Sequence, residues 1–242
     1  MIQTTKNVIS AALDDIRARD VRLIDEASRL AGKPIDIHLW TDGTVTRATG
    51  KPPKFPFAER RYVVQSLKFT RHVVPWNEPQ IAQPEISAAA LETFPDPPAC
   101  PDDPPSTKKK VVVTGCFDWL HSGHVRFFEE VSGLGDLYVV VGHDANITLL
   151  KGHAPMFDQR IRCYVVNAFR FVKLAVLSTG TGWMDAEPEF ARIKPDIYAV
   201  NEDGDRPEKR AFCERIGIEY RVLKRTPKAG LPRRESSQLR GF

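Results

Sequence analysis

The sequence predicts an α/β protein: a doubly wound parallel sheet, present in two tandem copies. Three observations carry this reading. From residue 111 to residue 223, short apolar runs alternate with stretches of helical spacing, the pattern of a parallel sheet with right-handed crossovers. One run, Val111-Val112-Val113, is continuous rather than alternating, as in a strand covered on both faces. And residues 7–85 repeat residues 111–189 in the same order, in worn form.

The later copy opens with the valine strand. Gly115 breaks the run and lets the backbone approach a ligand closely. Ser122 is the expected N-cap of a helix whose Val125, Phe127, Phe128 and Val131 have helical spacing. Residues 137–141 form the next strand, which ends near His143 and Asp144. Residues 160–171 read as a helix, 174–177 as a strand, and a further helix opens over 188–192. Residues 197–200 are a strand, 206–216 a helix and 219–223 the last strand. Ligands of such sheets sit at the carboxyl ends of the strands. The Gly115 turn, His143-Asp144 and Asn201 to Asp203 all fall there, so the fold brings them together.

The earlier copy matches at offsets of 104 and then 102. Residues 7–14 lie over 111–118, 14–22 over 118–126, and 60–69 over 162–171. Gly115 corresponds to Ala11, His121 to Arg17, Gly123 to Arg19 and His124 to Asp20. Alanine resists the close approach that glycine allows, and an aspartate at a helix mouth repels phosphate. The earlier copy is therefore expected to keep the scaffold and lack a site. Residues 1–92 form this degenerate domain, 93–109 a proline-rich extended linker and 110–242 the active domain. A short helix over 86–92 belongs to the first.

The whole chain has 242 residues, enough for one large or two small domains. Its net charge of +4 suits anionic small molecules and demands no nucleic acid. Cys100, Cys116, Cys163 and Cys213 lie far apart without a Cys-x-x-Cys pair, which argues against a zinc site or a disulfide framework. With no N-terminal signal, no spanning apolar run and no basic amphipathic tail read from it, a cytoplasmic protein without membrane contact is expected.

The chemistry centres on the start of the helix after Gly115. A helix mouth presents free amides and a positive dipole end. His121 and His124 are three apart and face one spot, with Gly123 leaving room between them. Donors, a dipole and two histidines around one point suit a polyphosphate. Asn201, at a strand end, offers a donor and an acceptor to a base edge, or else forms an Asx turn.

Gly115-Cys116-Phe117-Asp118 followed by His121-Ser122-Gly123-His124 resembles the signature of the cytidylyltransferase-type nucleotidyltransferases, a glycine strand-turn followed by His-x-Gly-His. The resemblance implies a Rossmann-like fold. It implies attack of a substrate phosphate on the α-phosphorus of a nucleoside triphosphate, with release of pyrophosphate. The nucleotide would be CTP with Mg²⁺, and the acceptor a phosphorylated small alcohol. Two alternatives stand beside it: an adenylyltransferase using ATP on a phosphorylated acceptor, and a non-catalytic nucleotide-binding module. His121, His124 and Lys151 would act on the phosphates, Lys151 by its distance from Asp144. Gly115, Cys116, Phe117, Asp118, Gly123, Asn201 and Asp203 would hold the nucleotide. Arg225, Ser236 and Ser237 resemble a closing Arg-Thr…Ser-Ser motif, here with residues 227–233 inserted and Glu235 in place of its first serine. Asp144 and Arg162 are further candidates, although Arg162 aligns with Arg60 and so suits a structural role in both copies. No protein ligand to a metal is expected. The two-copy layout is similar to that of phosphoethanolamine cytidylyltransferase, and it implies a pseudo-dimer within one chain.

Overall fold

A computed structural model describes residues 8–236. They form two compact units that divide after Phe94.

The first unit runs β1 (Val8–Ala11), α1 (Ala18–Ala31), β2 (Ile35–Trp40), α2 (Asp42–Thr49), α3 (Phe57–Gln65), β3 (Thr70–Trp76) and α4 (Ala88–Glu92). Its sheet has the order β1-β2-β3, all parallel. The second unit runs β4 (Lys110–Gly115), α5 (Ser122–Ser132), β5 (Asp136–Val141), α6 (Asp144–Lys151), α7 (Gln159–Asn167), β6 (Val172–Leu177), α8 (Glu187–Ile193), β7 (Ile197–Asn201), α9 (Pro207–Ile216) and β8 (Glu219–Leu223). Its parallel sheet has the order β6-β5-β4-β7-β8. The winding direction reverses between β4 and β7, which opens a crevice at their carboxyl ends.

Both faces of this sheet are covered, as the unbroken valine run requires. On one face Val112, Tyr138, Val140 and Tyr198 pack with Phe190 of α8 and Phe212 of α9. The Phe190 ring meets Tyr198 edge-on with centroids 4.9 Å apart. Val111, Val113, Val139 and Val141 alternate to the other face and are buried there. That face receives α5, which buries Val125, Phe128 and Val131, and α7, which buries Cys163 and Val166.

Four local expectations are corrected. The cap of α5 is His121 rather than Ser122: His121 is extended, and its imidazole Nδ1 accepts from Gly123 N–H at 3.1 Å. Between 141 and 160, where no element is predicted, a helix α6 forms; Lys151 ends it, and Gly152 in the left-handed conformation stops it. The helix read over 160–171 ends at Asn167, because Ala168 and Phe169 turn the chain toward β6. The proline-rich stretch is not a free linker. Cys100 enters the core of the second unit, Asp102 pairs with Arg192 at 2.7 Å, and Asp103 pairs with Lys110 at 2.6 Å and Lys194 at 3.2 Å. Prolines keep this stretch out of the sheet, and its side chains dock it all the same.

The two units share internal construction. Arg162 donates to the carbonyls of Phe157, Cys116 and Gly142 and to the carboxylate of Asp144. Arg60 donates to the carbonyls of Phe55, Ala12 and Trp40 and to the carboxylate of Asp42. Asp118 accepts from Met156 and Phe157 N–H, as Asp14 does from Lys54 and Phe55 N–H. The preceding residues, Phe117 and Leu13, both have positive φ, +51° and +44°.

Candidate active site

The site is built outward from the end of β4. Gly115 does not itself take a left-handed conformation; the positive φ falls on Phe117. That strained turn folds the Phe117 ring back over Gly115, where an added Cβ would lie 2.8 Å from the ring. Glycine at 115 is needed for this close approach. Phe117 then packs on Phe128 with centroids 5.3 Å apart, which fixes the turn to α5.

The turn delivers the chain to the mouth of α5. His121 caps it and His124 stands in its first turn, with ring centroids 4.1 Å apart. Gly123 is required here too, since a Cβ would come within 2.9 Å of the His121 ring. His121 Nε2 and His124 Nδ1 are buried and have no hydrogen-bond partner among the described residues. Burial, with smaller contributions from neighbouring cations, holds His121 near pKa 2 and His124 near pKa 4. Both rings are therefore neutral near pH 7. Each keeps one N–H to donate, and the unpartnered nitrogens mark where a ligand completes the site.

An open cleft of about 240 Å³ lies over the crevice. Gly115, Cys116, Phe117, Asp118 and His124 line its floor side. Lys151, Asn201, Asp203 and Ser236, from three other parts of the chain, line it as well. Gly123, Asn201 and Arg225 line a small adjoining pocket of about 20 Å³, which also carries Arg126, Lys228 and Arg234. His121 is buried beside His124 rather than on the cleft surface. Ser237 lies outside the described residues.

Several of these groups already have internal partners. Arg225 donates to Asp203 at 2.9 Å and to the Arg234 carbonyl at 2.8 Å, so its charge is offset before any ligand arrives. Ser236 is within 3.5 Å of the Trp119 carbonyl. Arg162 is buried with its guanidinium turned to three carbonyls, and Asp144 is held by Arg162 and by Gln159 N–H. Their observed contacts are with the walls of the site. Asp118 is committed to two backbone amides. Among the described residues no three His, Cys, Asp or Glu side chains cluster as a ready metal site.

Two cleft residues with polar side chains, Thr114 and Lys209, are absent from the sequence reading. Thr114 bonds the Tyr198 hydroxyl at 2.7 Å behind the floor. Lys209, in the first turn of α9, extends into the cleft and donates to the Gly204 carbonyl at 3.0 Å. One signal was available for it: a lysine in a helix's first turn opposes the dipole, and Lys209 follows directly on the loop after Asn201.

About half of the chain is similar to known proteins. A family model described as cytidylyltransferase-like matches residues 112–206. The FAD synthase of Aciduliprofundum boonei is 36% identical over 118 residues, which are 48% of this chain and 76% of that protein. The FAD synthase of Pyrococcus horikoshii is 34% identical over 121 residues, 48% of this chain and 80% of that protein. A solved structure, the lipopolysaccharide core biosynthesis protein from Thermoplasma volcanium GSS1, is 28% identical with a TM-score of 0.42, over 50% of this chain and 98% of that one. No described helix is long and apolar enough to cross a membrane.

Proposed function

The chain belongs to the cytidylyltransferase-like family of nucleotidyltransferases, and from that premise we propose that it moves an adenylyl group from ATP to the phosphate of FMN, giving FAD and pyrophosphate. The CTP and phosphoalcohol reading has motif likeness behind it. The relatives named above favour the adenylyl alternative, and no observation of the site favours CTP.

A phosphate oxygen of FMN attacks the α-phosphorus of ATP. The bond from that phosphorus to the bridging oxygen of the β-phosphate breaks, and pyrophosphate leaves with the electron pair. The nucleophile arrives charged, so the protein need only position the partners and neutralise developing charge. The single observation that carries this reading is the neutral imidazole pair at the mouth of α5, His121 buried and His124 half-buried on the cleft, each with one buried nitrogen unpartnered among the described residues. In this reading His121 and His124 donate to the triphosphate, and the free amides of α5 join them. Lys151 adds a point charge from the opposite wall. Arg225 and Ser236 border the triphosphate end. Mg²⁺ would enter with the nucleotide and offset charge on its phosphates, with no protein carboxylate needed to hold it, since those of Asp118 and Asp203 are committed to internal partners.

We also propose that the first unit is a degenerate copy of the first half of the second, with no site of its own. The matched arginine, aspartate and positive-φ positions support this. So does the replacement of His121 and His124 by Arg17 and Asp20, which close on each other as Asp20 accepts from Arg17 N–H at 2.8 Å.

Incubating the full chain with MgATP and FMN, and separately with MgCTP and a panel of phosphoalcohols, tests the main proposal. FAD formation with stoichiometric pyrophosphate is expected in the first mixture alone. Product in the CTP arm, with none from ATP and FMN, would overturn it.

A further inference from the structure

We propose that Asp203 is a positioning residue that acts through Arg225. It is the counter-ion of the guanidinium in the empty site, and the phosphates of an incoming nucleotide displace it. The inference rests on the reading of the cleft as a nucleotide site and deepens it.

The bonds around Arg225 give it a fixed pivot and an exchangeable arm. Arg225 follows β8, and its Nη2 donates to the Arg234 carbonyl at 2.8 Å, which closes residues 226–233 into a loop. Lys228 in that loop pairs with Glu129 of α5 at 2.6 Å, so the loop is docked along the helix. The Arg225 backbone is held too, its N–H donating to Glu202 Oε1 at 3.2 Å. The bond from Nη1 to Asp203 Oδ2, at 2.9 Å, is of another kind. It engages one arm of the guanidinium fork, and Asp203 sits on the single turn Glu202–Gly204 that follows β7. The Asp203 side chain is 54% exposed against 20% for Arg225. A pair so open to water contributes little stability, and a released carboxylate is rehydrated where it stands.

The pair also stands where an exchange of anions has a consequence. Asp203 lines the larger cleft, Arg225 the small adjoining pocket and Asn201 both, so the ion pair crosses the border between them. Burial is the main cause of the lowered imidazole pKa values. The Arg225 charge adds to it at both rings, after that of His124 at His121, so the guanidinium stands beside the histidine pair. A polyphosphate carries more charge and more acceptor oxygens than one carboxylate, so it wins Nη1 while Nη2 keeps its carbonyl. When pyrophosphate leaves, Asp203 takes Nη1 back. The exchange lowers affinity for phosphates and speeds their release.

The test is equilibrium binding of inorganic tripolyphosphate and of pyrophosphate to the full chain. It is done without Mg²⁺ and at low ionic strength, where exposed pairs count most. Asp203→Asn keeps an acceptor oxygen and removes the charge. It should bind both anions about two- to fivefold tighter than the parent, the range an exposed pair allows. Glu202→Gln removes an equal charge one residue away and leaves the guanidinium paired, so it should bind as the parent does. Arg225→Met should bind tripolyphosphate more weakly, and adding Asp203→Asn to it should restore nothing. Circular dichroism spectra like the parent's show that the variants are folded. Equal affinity of the parent and Asp203→Asn overturns the proposal and leaves the phosphate site standing. Weaker binding by Asp203→Asn overturns it too, since Asp203 would then hold Arg225 in its binding pose rather than compete for it. An equal gain in Glu202→Gln, or in the Arg225→Met background, overturns it as a general effect of charge. If the parent binds neither anion, the nucleotide reading falls with it.

Discussion

The ring centroids of His121 and His124 lie 4.1 Å apart, and the Gly123 N–H between them is bonded to His121 Nδ1 at 3.1 Å. The pair is thereby fixed to the helix mouth before any ligand binds. Preorganised donors of this kind need no rearrangement as charge develops on a phosphate.

The same burial makes the pair sensitive to acid. An unfolded chain protonates each imidazole near pH 6.5, while the folded chain resists until about pH 4 at His124 and about pH 2 at His121. Protons therefore favour the unfolded state. Stability is full above about pH 6.5 and is lost as pH falls toward 4. Thermal melts of the parent and His124→Gln across pH 7.5 to about 4 should show a flatter decline in the variant. Glu189, whose pKa burial raises, acts in the opposite sense in both chains, so their difference is the measure. Parallel curves would contradict the buried neutral histidine.

Gly123→Ala separates stability from catalysis. Alanine is favoured over glycine within a helix by about 1 kcal/mol. Its Cβ, however, would meet the His121 ring at 2.9 Å and push it aside. The expected outcome is a nearly unchanged melting temperature, the helix gain offsetting the disturbed His121 cap, with activity lower by about 10²-fold. Full activity would show that the position of His121 is unimportant.

Arg162→Met tests the buried fork. It removes the shared partner of three buried carbonyls and leaves Asp144 with only Gln159 N–H of its two described partners. A loss of about 3–5 kcal/mol is expected by urea denaturation. Arg60→Met should destabilise the first unit comparably, and should leave pyrophosphate release per folded molecule unchanged. Equal loss of turnover from both substitutions, with folding intact, would contradict a siteless first unit.

Much of this architecture was legible because burial leaves a strong pattern. A strand covered on both faces must be apolar throughout, so Val111 to Val113 and the end of β4 could be placed. The histidine pair was legible from the His121-Ser122-Gly123-His124 signature, since an extended cap three residues before a first-turn histidine still brings the two rings together. The cap was not, because an imidazole accepting from its own helix is a matter of ring orientation that spacing does not encode. Helix α6 was missed because it is short and leaves Leu149 and Leu150 exposed, so it lacks a clean apolar stripe. Lys209 enters the cleft only once α9 has packed beside β7, a tertiary consequence. The docking of Cys100 and Asp103 is of the same kind. Adenine and cytosine share one hydrogen-bond pattern, which is why the nucleotide was not readable from Asn201.

The most direct test is steady-state pyrophosphate release by the full chain and by His124→Ala, each given MgATP and FMN. The parent chain should release one pyrophosphate per FAD formed, and the variant should be slower by about 10²–10³-fold with an unaltered circular dichroism spectrum. Turnover at the parent rate in His124→Ala would contradict the assignment of catalysis to the mouth of α5.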